Sequence, residues 1–362
     1  MAAMGFTGTR RRAGVAHRWG AVLCLATAAC TPAPAEWYDP SLPHHQPNGF
    51  VNVPPTPEKK LSDLLRWRRE AGKKLIPEAG DYTFPTIPVD RAALNHAPDT
   101  PTVTWIGHAT VLIRVNGVNV LTDPQFSARA APVQWAGPRR AVPPVPGLTD
   151  LPPIHAVVLS HDHYDSLDVG TVRALRARPG GADTVFFTPL GYKPWFARLG
   201  VTRVVERDWW QSAEHLGLTF TAVPVQHWCK RGFFDRDERL WSGWTISGEG
   251  FNGVFLGDSG YTAHFAEIGR RLGPFDVAMI PIGAYEPRWF MRDHHINPAE
   301  AVRAHADLRA KRSIAIHWGT FVLTDEPLTE PPVRLAVARQ QAGLTEADFA
   351  VLVHGETVAI TP

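Results

Sequence analysis

Seven residues carry the densest chemistry in the chain: Ser160-His161-Asp162-His163-Tyr164-Asp165-Ser166. Imidazole nitrogen binds zinc-like metals well, and a carboxylate can support a second ion. In extended chain His161 and His163 point the same way, so one short loop can offer two ligands to one ion. A His-x-His pair alone is a weak signal, because buried histidines more often satisfy structural roles. Three further positions strengthen it. His227 follows the apolar run Leu218–Pro224, Asp258 follows Gly253–Leu256 within Gly257-Asp258-Ser259-Gly260, and His317 follows Ser313–Ile316. Each stands just past the carboxyl end of a predicted strand, where layered α/β folds place their sites.

The elements that must position these residues are legible as short β-branched runs. They are Val103–Ile106, Val111–Val115, Val118–Leu121, Val157–Leu159, Val185–Phe187, Leu218–Val223, Val254–Leu256, Val277–Ile282, Ser313–Ile316 and Phe349–Val353. Asn116-Gly117 joins two of them as a hairpin, since that pair tolerates positive φ. Helical stretches are interleaved at Val169–Arg178, Gly191–Leu199, Thr262–Leu272, Pro298–Ala310 and Pro332–Ala342, and Leu61–Glu70 reads as a short separate helix. Asn297-Pro298 is a helix start, an N-cap followed by Pro in the first turn. Strands alternating with helices imply α/β layers around one large core.

Composition bounds the function classes. The 362 residues are 44% hydrophobic and 20% charged, which excludes a disordered chain, and 3 Cys exclude a disulfide scaffold. A net charge of +2 argues against a nucleic-acid partner drawn by a positive field. Four arginines and no acid stand before residue 20, followed by the apolar stretch Gly20–Ala29 and Cys30. This reads as a secretory signal over residues 1–29, too short to span a bilayer. Thr27-Ala28-Ala29-Cys30 resembles a bacterial lipobox, with Thr27 where Leu is usual; cleavage after Ala33-Pro34-Ala35 is the alternative. The expected product is an exported protein of the cell envelope, anchored to the membrane through acylated Cys30. Residues 30–100 read as a Pro-rich arm plus the short helix, with eight prolines in Pro32–Pro57, and residues 101–362 as one catalytic domain. Without its leader the chain has a formal charge of −2, so attraction to anionic lipid needs a local basic patch or the anchor.

His161-x-His163-x-Asp165 followed by His227, Asp258 and His317 resembles the metallo-β-lactamase superfamily. Trp105–Thr110, Leu121–Pro124, Gly257–Tyr261, Ile280–Met291 and His317–Phe321 narrow the resemblance to N-acylphosphatidylethanolamine-hydrolysing phospholipases D and their bacterial relatives, over roughly Leu75 to Pro332. The resemblance implies a four-layer α-β-β-α sandwich with a two-zinc site at one edge of the sheets. His161, His163 and His227 then hold one ion, Asp165 and His317 the other, and Asp258 bridges both and orients the attacking water. The family has His where this chain has Ser166. The departure leaves three outcomes: a weaker second site, a water in the ligand's place, or a metal that prefers oxygen; loss of the second ion also stays open. His295 matches a family histidine near the substrate phosphate, for phosphate contact or proton delivery. Its neighbour His294 departs from the family and receives no role. His108 is expected to orient a ligand rather than to bind.

The implied activity is metal-dependent hydrolysis of a phosphodiester in N-acylphosphatidylethanolamine or a related phospholipid. No Gly-x-Ser-x-Gly nucleophile motif competes with it. Hydrolysis of another bond, such as a lactone, and a non-catalytic envelope lipoprotein degenerate at Ser166 are the alternatives. Other residues have bland readings: Cys229 as a buried small hydrophobe, Trp209, Trp210, Trp228, Trp241 and Trp244 as packing rather than lipid channel, Arg139-Arg140 as a solvated pair, and His44-His45 as incidental.

Overall fold

Every residue of Thr110–Val115 is buried. Val111, Ile113 and Val115 enter one apolar cluster, while Leu112 enters another. Opposite faces of one strand are therefore covered by different layers, which is why such strands read as continuous apolar runs. The computed structural model describes residues 35–71 and 76–361. The expected secretory signal over residues 1–29 and the expected acylation of Cys30 fall outside the described residues. Among the described residues no helix is long and apolar enough to cross a membrane.

A hairpin pairs β1 (His45–Gln46) with β2 (Gly49–Phe50), followed by helices α1 (Leu61–Ala71) and α2 (Arg91–Asn95). The first sheet is laid down by β3 (Thr102–Gly107), β4 (Thr110–Val115), β5 (Val118–Thr122), β6 (Ala156–Val158), β7 (Val185–Thr188) and β8 (Val204–Glu206). Helices α3 (Val169–Ala177) and α4 (Lys193–Ala197) connect its last three strands. The second sheet takes β9 (Ser212–His215), β10 (Leu218–Val223), β11 (Gly243–Gly248), β12 (Phe251–Phe255), β13 (Val277–Pro281), β14 (Ser313–Ile316) and β15 (Phe349–Ala350). Helices α5 (His264–Leu272), α6 (Arg288–Met291), α7 (Pro298–Asp307) and α8 (Glu330–Ala342) lie between its later strands. Finally β16 (Thr357–Ala359) returns to the first sheet beside β3.

The two sheets share one plan. Strands β16-β3-β4-β5 run antiparallel and β5-β6-β7-β8 parallel; β9-β10-β11-β12 run antiparallel and β12-β13-β14-β15 parallel. Antiparallel neighbours need only tight turns, and Asn116-Gly117 supplies one with φ of 51° and 77°. Parallel neighbours need crossovers, and those crossovers are the outer helices. Val172, Leu175 and Phe196 cover the outer face of the first sheet. Phe265, Ile268, Ala301, Ala304 and Leu335 cover the second, and Val111, Val158, Phe187, Phe220 and Trp244 fill the space between the sheets. The result is a four-layer α-β-β-α sandwich. Asn297 caps α7 as expected, and its capping box with Glu300 is complete.

Several elements escape the sequence pattern. Strand β9 is Ser-Ala-Glu-His, a polar edge strand held by register with β10 alone. Strand β11 begins and ends on glycine, and β8 and β16 have three residues each. The segment before α1 lies along the body. His44 Nε2 and His45 Nε2 reach the two oxygens of buried Asp208, at 2.7 and 3.0 Å. Those histidines are not incidental: they clamp this segment, and His44 stacks on Trp209 at 4.2 Å. Arg140 is likewise buried rather than solvated, because carbonyls of Gln125 and Ser127 accept its guanidinium and Phe321 lies beneath it at 4.8 Å.

Candidate metal centre

Five loops leave the carboxyl ends of strands at one edge of the sandwich and carry the polar cluster. β6 leads into His161, His163 and Asp165; β10 leads to His227, β12 to Asp258, and β14 directly to His317. The fifth loop, after β5, carries Asp123. Ligand atoms of His161, His163, His227 and Asp258 all lie within 4.8 Å of one another, and so do those of Asp258, His295 and His317. A third group joins His108, Asp165 and His317. All six expected ligands therefore converge, and Asp258 faces both ways. Its Oδ2 lies 3.6 Å from His161 Nε2 and 3.8 Å from His227 Nε2, while its Oδ1 lies 3.1 Å from His317 Nε2.

The proton inventory of this cluster tests its fit to a metal. His227 Nδ1 donates to the His294 carbonyl at 2.9 Å, leaving Nε2 as an unprotonated acceptor 3.3 Å from His163 Nδ1. His161 Nδ1 lies 2.8 Å from Ser160 Oγ, whose hydroxyl goes to Asp123. With Asp123 ionised, that chain puts the proton of His161 on Nδ1 and leaves its Nε2 unprotonated; burial pushes Asp123 up to about 8, so a nearby cation favours this arrangement. Burial holds His161 neutral down to about pH 4 and pushes His227 well below its usual range. Two ring lone pairs and a carboxylate oxygen thus crowd together, almost wholly shut off from water, and His163 Nδ1, 3.3 Å from His227 Nε2, is the one nearby ring nitrogen that can offer them a proton. His161 Nε2 and His163 Nε2 find no hydrogen-bond partner. Buried acceptors without donors are costly, and a cation satisfies them together. The donor set of imidazoles and carboxylates suits a zinc-like ion.

The second half of the cluster centres on Asp165. Its Oδ2 lies 3.0 Å from His108 Nε2 and 3.4 Å from His317 Nε2. Burial works against charging His317, but Asp258 and Asp165 outweigh it and raise the ring to about 10. With no ion bound, His317 thus carries a proton between two carboxylates, and an ion there must displace it. Ser166 is fully buried, and its Oγ has no partner. His108, Asp123 and His317 take positive φ of 54°, 30° and 59°, conformations that non-glycine residues hold only where their surroundings fix them.

Supporting residues that the sequence reading missed surround the cluster. Asp123 receives the Ser160 amide at 2.7 Å as well as its hydroxyl, and so orients His161. Asn52 Oδ1 accepts from the His227 amide at 3.1 Å, and Asn52 Nδ2 donates to the His227 carbonyl at 2.8 Å. Asp162, between two expected ligands, turns away to Arg239 at 2.7 Å and the Lys230 amide at 2.8 Å. Arg288 donates to the His295 carbonyl at 2.8 Å and is itself gripped by both oxygens of Glu300. The only sequence signal for these residues is a polar side chain beside a strand end or a ligand. His294 was given no role; it is buried, and neither ring nitrogen has a partner. Cys229 is buried and free, as a small hydrophobe.

The cluster lies in the wall of a cavity of about 510 Å³. His163, Asp165, Asp258, His294 and His295 line one side, and α1 forms the other with Leu61, Leu64 and Trp67. Trp67 stacks on Phe290 at 5.0 Å, Arg66 lies over Trp289 at 4.1 Å, and Lys59 pairs with Asp293 at 2.7 Å, which fixes the helix there. Of the five tryptophans weighed for a lipid channel, Trp228 lines this cavity. Trp209, Trp241 and Trp244 are buried with their indole N–H groups bonded to main-chain oxygens.

Comparison with known proteins agrees with this geometry. The family model of the beta-lactamase superfamily domain matches residues 118–318. N-acyl-phosphatidylethanolamine-hydrolyzing phospholipase D 1 of Caenorhabditis elegans is 41% identical over 302 residues, covering 80% of this chain and 84% of the relative. The mitochondrial phospholipase D of the same description from Saccharomyces cerevisiae is 30% identical over 67% of this chain and 53% of its own length. Among solved structures, a metallo hydrolase from the archaeon Ignicoccus hospitalis superposes with a TM-score of 0.54 at 21% identity, covering 72% of this chain and 97% of the other.

Proposed function

This chain belongs to the beta-lactamase superfamily as a metallo-β-lactamase-fold hydrolase, and on that premise we propose that it is a two-zinc phosphodiesterase of phospholipase D type, releasing phosphatidic acid from N-acylphosphatidylethanolamine. One observation carries the reading: the two-sided Asp258 cluster opens into an apolar cavity that also presents Lys60, Lys230 and Arg236. Cations suit the phosphodiester, and Leu64, Trp67, Phe290 and Met291 suit acyl chains.

His161, His163 and His227 are the proposed holders of one ion, Asp165 and His317 of the other, and Asp258 of both. Bound there, the metals lower the pKa of water towards 7 and offset charge on the phosphoryl oxygens. The chain's own residues supply position. His108 holds Asp165 in place, and Ser160 with Asp123 holds His161. His295 lines the cavity with its Nδ1 unpartnered; burial lowers its pKa to about 3, so it is neutral and can hydrogen-bond a phosphoryl oxygen. Water adds to phosphorus, the bond from phosphorus to the ethanolamine oxygen breaks, and a proton from the water ends on that oxygen.

The test is hydrolysis by zinc-loaded protein of N-acylphosphatidylethanolamine in mixed micelles, read as equal amounts of phosphatidic acid and N-acylethanolamine. Metal-replete protein that releases neither, yet opens lactones, overturns the substrate assignment. Ser166→His tests the second ion. It is expected to tighten that site roughly tenfold or more in a zinc titration, with Ser166→Ala unchanged. Equal affinity in a folded Ser166→His protein means that Ser166 does not face the ion.

A further inference from the structure

Two phenylalanines stand almost fully in water: Phe233 is 90% exposed and Phe234 is 95% exposed. They form the tip of the Lys230–Arg236 loop, whose two end residues both line the cavity. The loop is braced, not loose. Arg231 donates to the carbonyls of Asp162 and Leu167 at 2.6 Å each, and Asp235 accepts the amides of Arg231 and Gly232. Asp162 in turn sits between His161 and His163, so the tip is tied to the ligand loop. Helix α1 presents Lys60 and Leu61 to the same cavity, with Leu61 71% and Leu65 57% exposed.

We propose that the Phe233-Phe234 tip and the exposed leucines of α1 dock on an anionic phospholipid bilayer and seat the cavity mouth against it. Aromatic tips flanked by cations suit the membrane interface, where rings enter the headgroup layer and Lys and Arg meet its negative charge. Without residues 1–29 the chain has a net charge of −2, so the attraction is local to Lys60 and Lys230, with Arg236 partly offset by Asp237 at 3.3 Å. A lipid two acyl chains deep in a bilayer cannot reach a recessed cluster unless the mouth lies at the surface. The inference rests on the lipid-hydrolase reading of the same cavity.

The experiment is flotation of full-length protein carrying Cys30→Ser, so that no acyl group contributes, with vesicles of phosphatidylcholine and phosphatidylglycerol. These vesicles hold no N-acylated lipid, so binding is read without hydrolysis. The Phe233→Ser/Phe234→Ser variant is expected to bind about tenfold or more weakly, with unchanged metal content and unchanged turnover of a short-chain monomeric substrate. Binding to pure phosphatidylcholine vesicles is expected to be weaker than to the anionic mixture. Equal binding by the parent and the double variant overturns the proposal while leaving hydrolysis of micellar substrate intact. Equal binding to both vesicle types also overturns it as a charge-guided contact.

Discussion

Asp258→Asn is expected to remove metal from both halves of the cluster and to cut turnover by on the order of a thousandfold or more. The substitution keeps the side chain's shape and removes only its charge and one acceptor oxygen. That oxygen matters on either side. Oδ2 faces the Nε2 atoms of His161 and His227, and Oδ1 faces His317. An amide oriented to serve one side turns its NH2 towards the other, where N–H meets nitrogen lone pairs or repels an ion. His163→Ala makes the contrast. It removes a donor from the His161–His227 side alone and is expected to leave metal at Asp165 and His317. Metal analysis and turnover on one preparation of each variant decide the matter. Full metal content with full turnover in Asp258→Asn refutes the two-sided role.

Gly257→Ala is expected to destabilise the fold and deplete the metal without touching any ligand. Gly257 has φ of +62°, and a Cβ there would lie 2.3 Å from Ser160 Cβ and 2.6 Å from its Oγ. Ser160 is fixed by Asp123 and sets the orientation of His161, so the clash passes straight into the cluster. The left-handed conformation costs alanine about 1–2 kcal/mol, and overpacking adds roughly 1–3 kcal/mol. Gly250→Ala separates the two contributions. Its φ is +69° but nothing lies within 4 Å of its would-be Cβ, so it bears the conformational cost alone. Denaturation midpoints and zinc content of the two variants should differ, with Gly257→Ala the lower in both. Matching values mean that Ser160 yields freely.

Much of this architecture was legible in the chain because buried strands must be apolar on both faces. Runs such as Val118–Leu121 and Ser313–Ile316 announce themselves, and the residue just past each one is a natural place for a ligand. The cluster could be read from residue types and their place after strands, with the assignment of each ligand coming from family resemblance. What could not be read depends on distant partners. Strand β9 is polar and exists through its pairing with β10. Asn52 and Asp208 look like ordinary polar residues until folding brings them to His227 and to His44-His45. Arg140 looks solvated because nothing local shows that carbonyls of Gln125 and Ser127 wait for it.

The Asn52 contact has a consequence for ancestry. The shared family pattern spans residues 118–318, yet the side chain that grips both main-chain groups of His227 lies far upstream of it. Trp241 donates to the same Asn52 oxygen at 3.0 Å, so that upstream residue is woven into the wall behind the cluster. A relative that has only the common region must brace its counterpart of His227 by other means. Proteins of this fold can therefore share every ligand and still differ in how rigidly those ligands are held, and trimming this chain to residues 118–318 would discard part of its own scaffolding.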